Sequence, residues 1–138
     1  MLANPMQPGF HFHHVGIACR DLDADERVFA GLGYVREGTD WFDPIQNVHA
    51  RFLVGAGPRV ELVVDAQPGG PVAELERKGV KLYHMAYEVD DLRSASRGLE
   101  ALGAKQVTAP TPGIAFGMRL LCFYALPNLA LIELIARA

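Results

Sequence analysis

The segment HVGIACRDL, residues 14–22, recurs as HMAYEVDDL, residues 84–92, and this repetition decides the fold. Each copy begins with histidine, has a small residue two positions later and ends in Asp-Leu. The two copies are 70 residues apart, and at the same offset Leu32-Gly33 aligns with Leu102-Gly103. At an offset of 72 residues, VELV at 60–63 aligns with IELI at 132–135. Three landmarks in one order indicate two copies of a unit of about 70 residues.

Each copy carries the signals of a β-α-β-β-β unit, in which an aspartate caps the helix and a glycine ends it. The sequence predicts strands at 12–19, 34–37, 48–54, 59–65, 81–89, 104–108, 118–125 and 129–136, and helices at 21–32, 72–78 and 91–102. The predicted fold is therefore α+β: two tandem βαβββ modules that form a cupped, barrel-like mixed sheet with helices outside. Module one spans about residues 11–66, a linker 67–80 and module two about 81–137, in a single domain of residues 1–138.

The composition excludes several classes of protein. The chain has 138 residues, of which 50% are hydrophobic and 21% charged, with a net charge of −3. This balance argues against disorder and against nucleic-acid binding, which favours a basic face. Every apolar run in the sequence is much shorter than the about 20 residues that a membrane-spanning helix needs. The N-terminal MLANPMQPGF has no export signal, so we expect a cytoplasmic protein with Cys19 and Cys122 as reduced core thiols.

Strand alternation brings four polar residues to one side of the two predicted sheets. Successive strand residues point to opposite faces, and the apolar set of each strand suits the helix side. The residues predicted to point away from the helices, one per strand, are His14, Glu61, His84 and Glu133. The small residues Gly16, Ala18 and Ala86 leave space in front of them.

Two imidazoles and two carboxylates suit one divalent cation, such as Zn, Ni, Co or Mn. A single histidine in a strand is more often a hydrogen-bonded structural residue. Burial of an unpaired carboxylate is costly, however, and Glu133 lies in the apolar run LALIELI. Because histidine and glutamate occur at equivalent places in both copies, the set predicts a metal site.

The repeated unit, with its H-x-[GA] strands and closing IEL strand, resembles the vicinal oxygen chelate superfamily from about residue 12 to 136. That group includes glyoxalase I, methylmalonyl-CoA epimerase, fosfomycin-resistance proteins, extradiol dioxygenases and bleomycin-binding proteins. The segments HHVGIA, GPVA and YHMAYEVDD are most similar to the epimerase branch. The resemblance implies that His14, Glu61, His84 and Glu133 are the metal ligands.

One position departs from the epimerase pattern. Some epimerases carry a glutamate base on the third strand, where this chain has Ala50, and Arg51 beside it is expected to face the other side. The resemblance to glyoxalase I implies that a metal-ligating carboxylate is the base instead. We favour Glu133, because its apolar strand raises its basicity, whereas Arg59 is expected to hold Glu61 ionised. Both glutamates remain candidates for the catalytic group.

Four other residues are candidate substrate contacts: Gln46, Arg59, Phe116 and Arg119. Gln46 precedes the third strand and could contact a substrate, although an amide in such a loop is usually a turn former. The segment 111–119 resembles the mobile segment of the superfamily, which makes Phe116 a wall and Arg119 an anion contact.

The function that these residues predict is that of a metal-dependent isomerase, epimerase or lyase that abstracts a proton next to a chelated carbonyl. A methylmalonyl-CoA epimerase-like enzyme is the specific expectation, with a small-molecule substrate such as a CoA thioester. The alternatives are a lactoylglutathione lyase, a tailoring enzyme of secondary metabolism, an iron-dependent dioxygenase, or a protein that binds an antibiotic or other small molecule. Because the superfamily often forms dimers, we expect a homodimer without nucleic-acid or membrane partners.

Overall fold

The computed structural model describes residues 9–137, so most of the segment MLANPMQPGF, from which a cytoplasmic location is expected, lies outside the described residues. The elements in chain order are β1 (Phe10–Ala18), α1 (Leu22–Ala30), β2 (Val35–Asp43), β3 (Val48–Val54), β4 (Val60–Asp65), α2 (Pro71–Arg77), β5 (Leu82–Val89), α3 (Leu92–Ala101), β6 (Lys105–Gln106), β7 (Thr111–Gly113), β8 (Arg119–Ala125) and β9 (Leu131–Ala136). A single 3-10 turn, Ile114–Phe116, precedes β8. The predicted α+β class and the two βαβββ modules are confirmed.

The chain forms two compact units. We call residues 14–84 the N-unit, and residues 9–13 together with 85–137 the C-unit. Strands β1 and β5 each contribute residues to both units. The unit boundaries therefore fall inside two strands.

The N-unit sheet has the strand order β2-β3-β4-β1, in which β1 runs parallel to β4. One face packs against α1, through Ile17 and Leu62 on the sheet and Leu22 and Phe29 on the helix. This is the apolar set that strand alternation predicts for the helix side. The other positions of β1 and β4, which include His14 and Glu61, therefore point away from α1.

The C-unit sheet has the order β5-β9-β8, and β6 and β7 both pair with β8. Strand β9 is parallel to β5 and antiparallel to β8. Helix α3 buries Ala95 and Leu99 in one cluster with Tyr124 and Leu134 of the sheet. Glu133, between two residues of that apolar set, lies on the face opposite α3.

The two helices of the repeated modules begin and end alike. The side chain of Asp21 accepts hydrogen bonds from the backbone of Asp23 and Ala24, and Asp91 accepts one from Ser94. Each such cap satisfies amide groups that have no partner inside the helix. Both helices end slightly earlier than the sequence predicts, at Ala30 and Ala101.

The largest differences from the sequence-based expectation concern three strands. Strand β2 continues to Asp43 rather than ending at Glu37, because it pairs with β3 on both sides of an irregularity. The predicted strand 104–108 is reduced to Lys105 and Gln106, which pair in register with Ala125 and Tyr124 of β8. Strand β7, which contains Pro112, was not predicted.

The two cysteines and the lengths of the helices were also subjects of the sequence-based expectations. Cys19 and Cys122 are buried free thiols, as expected of core cysteines. None of the helices between residues 9 and 137 is long and apolar enough to cross a membrane.

Candidate metal centre

Three of the four predicted ligands meet in the N-unit. The Nε2 atom of His14 on β1 lies 3.1 Å from the Nε2 atom of His84 on β5. The Oε1 atom of Glu61 on β4 lies 3.2 Å from His14 Nε2 and 3.4 Å from His84 Nε2. All three residues are buried. The structure therefore brings together one atom from each side chain, each of which is a potential metal ligand.

Strand register and one glycine produce this convergence. The parallel pairing of β1 with β4 places Gly16 beside Glu61, and His14 lies two residues before Gly16 on the same face. A Cβ atom at Gly16 would lie 2.3 Å from Cε1 and 2.4 Å from Nδ1 of the His84 ring. Only glycine therefore leaves space for His84 at this position.

The Gly16→Ala substitution is expected to weaken zinc binding by about 10–100-fold, because the added methyl group displaces the His84 ring. The measurement is a zinc titration against a competing chelator. Gly31→Ala is the matched control, since its added methyl group meets only the Val28 carbonyl oxygen, at 3.2 Å. Unchanged zinc affinity in Gly16→Ala would show that the position of His84 does not matter for the ion.

The spacing of the three atoms fits a bound cation. Ligand atoms at about 2.0–2.2 Å from one ion, with angles between octahedral and tetrahedral values, lie about 3.0–3.5 Å from one another. The three distances between His14, His84 and Glu61 fall in this range. Imidazole nitrogen and carboxylate oxygen are also the donors that zinc and its neighbouring transition metals accept. The residues present therefore fit a divalent metal.

The electrostatics of Glu61 favour its ionised form. Burial alone would raise its pKa, but the charge and hydrogen bonds of His14 and His84 outweigh burial and hold the pKa well below its usual range. The ring of Phe52 packs edge-on against His14, with 5.3 Å between ring centroids. Glu61 is thus a fixed carboxylate in a site with an aromatic wall.

Glu133 belongs to the C-unit, where it occupies the position equivalent to Glu61. In β9 it is paired in register with Ala86 of β5 and with Phe123 of β8, and it is only 2% exposed. The parallel pair Ala86 and Glu133 repeats the parallel pair Gly16 and Glu61 of the N-unit. Its role as fourth ligand remains a prediction.

Two predicted substrate contacts have partners within the N-unit. Gln46 lies in the turn between β2 and β3 and donates a side-chain hydrogen bond to Asp43 at 3.0 Å. Arg59 immediately precedes β4 and forms an ion pair with Glu37 at 2.9 Å. The first contact stabilises the turn, and the second joins β4 to β2; their roles toward a substrate remain predictions.

The other two predicted substrate contacts lie next to each other in the C-unit. Phe116 is buried in the 3-10 turn, and its ring meets the ring of His13 edge-on at 5.4 Å. Arg119 donates to the Phe116 carbonyl oxygen at 2.9 Å and forms an ion pair with Glu88 at 2.6 Å. Sequence reasoning did not identify Glu88 as the partner of this arginine.

Ala50 and the adjacent Arg51 lie on opposite faces of β3, as the sequence predicts. Ala50 is buried and paired in register with Val63, whereas Arg51 faces α1. The Arg51 guanidinium forms ion pairs with Asp40 at 2.8 Å, Asp23 at 2.8 Å and Glu26 at 2.7 Å. We call this group the Arg51 cluster. A charged residue in the apolar strand HARFLV was the signal that could have revealed it.

The chain matches a known protein family and is similar to several characterised proteins. Residues 13–123 match the family described as the Glyoxalase/Bleomycin resistance protein/Dioxygenase superfamily. An ethylmalonyl-CoA/methylmalonyl-CoA epimerase of Cereibacter sphaeroides is 28% identical over 104 residues, which cover 74% of this chain and 78% of that protein. The crystal structure of a methylmalonyl-CoA epimerase from Mycobacterium tuberculosis matches with a TM-score of 0.77 at 27% identity, over 100% of this chain and 93% of that one.

A variant of the Streptomyces coelicolor methylmalonyl-CoA epimerase, in complex with 2-nitronate-propionyl-CoA, has the same fold. Its TM-score is 0.72 at 22% identity, and the match covers 94% of this chain and 99% of that one.

Proposed function

Because the chain belongs to the glyoxalase, bleomycin resistance protein and dioxygenase superfamily, we propose that it is a metal-dependent isomerase or lyase that moves a proton next to a carbonyl group. The specific activity that we propose is epimerisation of a CoA thioester such as methylmalonyl-CoA. The observation that carries this proposal is the cluster of His14, His84 and Glu61, whose spacing fits a divalent cation. The epimerases among its relatives support the choice of substrate.

The proposed site combines metal ligands, a base and an aromatic side chain beside one of the ligands. The metal ligands that we propose are His14, His84 and Glu61, together with Glu133, the fourth member of the set that the sequence repeat predicts. When bound, a divalent cation polarises a carbonyl oxygen and makes the neighbouring C–H group more acidic. The ring of Phe52 packs edge-on against His14 and provides an apolar surface on that side of the imidazole.

We propose that Glu133 is the base that removes and returns the proton. The Oε1 atom of Glu61 contacts both imidazoles, so this carboxylate is held in place as a ligand. Because a carboxylate bound to a cation is a poor base, Glu133 would act as the base only while it is not bound to the cation. In its apolar strand the unbound carboxylate would then be more basic than a carboxylate in water. A carboxylate within reach of the substrate commonly contributes about 10²–10⁴-fold to such a proton transfer.

The experiment is solvent deuterium exchange into methylmalonyl-CoA, followed by mass spectrometry. Glu133→Gln is expected to lower the exchange rate by about 10²–10⁴-fold, while Glu61→Gln loaded with metal keeps measurable exchange. Glu76→Gln, which alters an exposed α2 contact to Lys81, is the matched control and should exchange at the wild-type rate. Exchange that survives in Glu133→Gln but is lost in metal-loaded Glu61→Gln would reverse the roles of the two glutamates.

Ala50 favours a second candidate activity, that of a lactoylglutathione lyase. Some epimerases carry a third-strand glutamate, whereas this chain has a buried alanine that shares a sheet face with Glu61. The hemithioacetal of methylglyoxal and glutathione is therefore the second substrate to assay. Metal binding without turnover of either compound would favour another superfamily activity, and ligand binding without metal would favour a binding protein.

The expected homodimer and cytoplasmic location belong to the same proposal. Sedimentation of the purified protein tests the first, and fractionation of the source cells tests the second.

A further inference from the structure

An arginine lies on the C-unit sheet face that is turned away from α3. Tyr124 and Leu134 pack in the cluster beneath α3, so alternation places Arg119 and Glu133 on the opposite face. Glu88 is paired in register with Ile135, two residues beyond Glu133, which is about 7 Å along the strand. Arg119 and its partner therefore share a sheet face with the carboxylate that we propose as the base.

The Arg119 guanidinium is held by three acceptors from three parts of the C-unit. Its Nε atom donates to the Phe116 carbonyl oxygen at 2.9 Å. Its Nη1 atom donates to Glu88 Oε2 at 2.6 Å and to the Ala136 carbonyl oxygen at 3.2 Å. These contacts fix the plane of the guanidinium before any ligand binds, which reduces the entropy lost on binding.

The remaining nitrogen of Arg119 is available to a ligand. Within residues 9–137, Nη2 donates no hydrogen bond, although it carries two N–H groups. The side chain is 23% exposed, so a ligand can reach it while water screens it only in part. An arginine in this state is suited to an oxygen of a carboxylate or phosphate.

We propose that Arg119 is a specificity-determining residue that binds an anionic oxygen of the substrate through Nη2, and that Glu88 is its positioning residue. This inference rests on the proposed function for the identity of the substrate. The anionic group is either a carboxylate of the acyl portion or a phosphate of the CoA portion. Both present the same oxygen chemistry to the guanidinium.

Binding of small anions tests this site separately from catalysis. Malonate and inorganic phosphate are titrated by calorimetry into the zinc-loaded and the zinc-free protein. Arg119→Met is expected to raise the dissociation constant of malonate by about 10–100-fold, because charge-assisted hydrogen bonds are lost. Arg93→Met is the matched control, since Arg93 is an exposed arginine of the C-unit that lies on α3, on the other side of the sheet from Arg119.

The positioning role of Glu88 has its own readout. Glu88→Gln is expected to raise KM for methylmalonyl-CoA several-fold with little change in kcat, since Arg119 loses its fixed orientation. Arg119→Lys, which keeps the charge without the planar fork, is expected to bind malonate with intermediate affinity and replaces Arg119→Met if the latter does not fold.

The outcomes separate this inference from the proposed function. Malonate or phosphate binding that depends on Arg119, in a protein that does not turn over methylmalonyl-CoA, supports the anion site and contradicts the epimerase proposal. Loss of affinity in Arg119→Met for malonate alone assigns the site to an acyl carboxylate, and loss for phosphate alone assigns it to a CoA phosphate. Equal affinities for both anions in wild type and Arg119→Met overturn the inference.

Discussion

His84→Ala is expected to abolish stoichiometric zinc binding while the chain remains folded. The imidazole supplies one of three atoms that lie within 3.4 Å of one another, and its loss leaves only His14 and Glu61 in the N-unit to hold the ion. Loss of a supporting hydrogen bond to a ligand already costs about 10–100-fold in affinity, so loss of a ligand should cost more. The measurement is metal content after dialysis against zinc, and His14→Ala should give the same result.

His49→Ala is the matched control for these variants. His49 is an exposed residue of β3 whose ring packs on Phe42, so its removal should leave one zinc ion per chain. Zinc should also raise the melting temperature of wild type and His49→Ala, because an ion that binds only the folded state stabilises it. The melting temperature of His84→Ala should not change, since this variant is expected not to bind the ion. If folded His84→Ala keeps full zinc content, His84 is not a ligand.

Arg51→Met is expected to lower the free energy of unfolding by about 2–3 kcal/mol. Breaking a buried ion pair commonly costs about 3–5 kcal/mol, but Asp40 and Asp23 reach solvent and can be hydrated once the guanidinium is gone. Urea unfolding at neutral pH measures the difference. Arg77→Met, which breaks an exposed ion pair with Glu74, is the matched control and should change stability by less than about 1 kcal/mol.

The deficit of Arg51→Met should shrink as the solution becomes acidic. Hydrogen bonds from Arg51 are the main reason that the pKa values of Asp40 and Asp23 are lowered. The pKa of Glu26 is lowered mainly by Arg36 and to a smaller extent by Arg51. A carboxyl group with a lowered pKa in the folded state stabilises the fold above its unfolded pKa of about 4, and this contribution is lost as pH falls through the folded value. An equal deficit at pH 7 and pH 2.5 would show that packing, and not charge, explains the effect.

The repeat made much of the fold and of the site predictable. His14 and His84 recur at one offset, and the alternation of apolar residues around Glu61 assigns it to the face away from α1, where the structure has it. These are local patterns whose period is fixed by the strand, so they can be read without knowing the tertiary structure. The aspartate caps and the glycines after the helices are equally local.

Other features depend on partners that are distant in sequence. The acidic partners of Arg51 come from α1 and β2, and nothing near Arg51 in the sequence identifies them. The extension of β2 to Asp43 depends on pairing with β3, because residues 36–40 are polar or glycine and show no alternation. Strand β7 contains a proline, which weakens any strand pattern, and it forms because β8 offers it an edge.

The packing of the His84 ring against Gly16 also has a consequence for the order of folding. His14 and His84 are separated by 70 residues, so the loop between them must close before their nitrogens can meet. Closing a loop of this length costs conformational entropy, which must be offset by packing between residues that are distant in sequence. Contacts between such distant residues form slowly. We therefore expect the ion to bind after β1 and β4 have paired and the His84 ring has packed against Gly16, so that zinc uptake reports the end of folding and does not nucleate it.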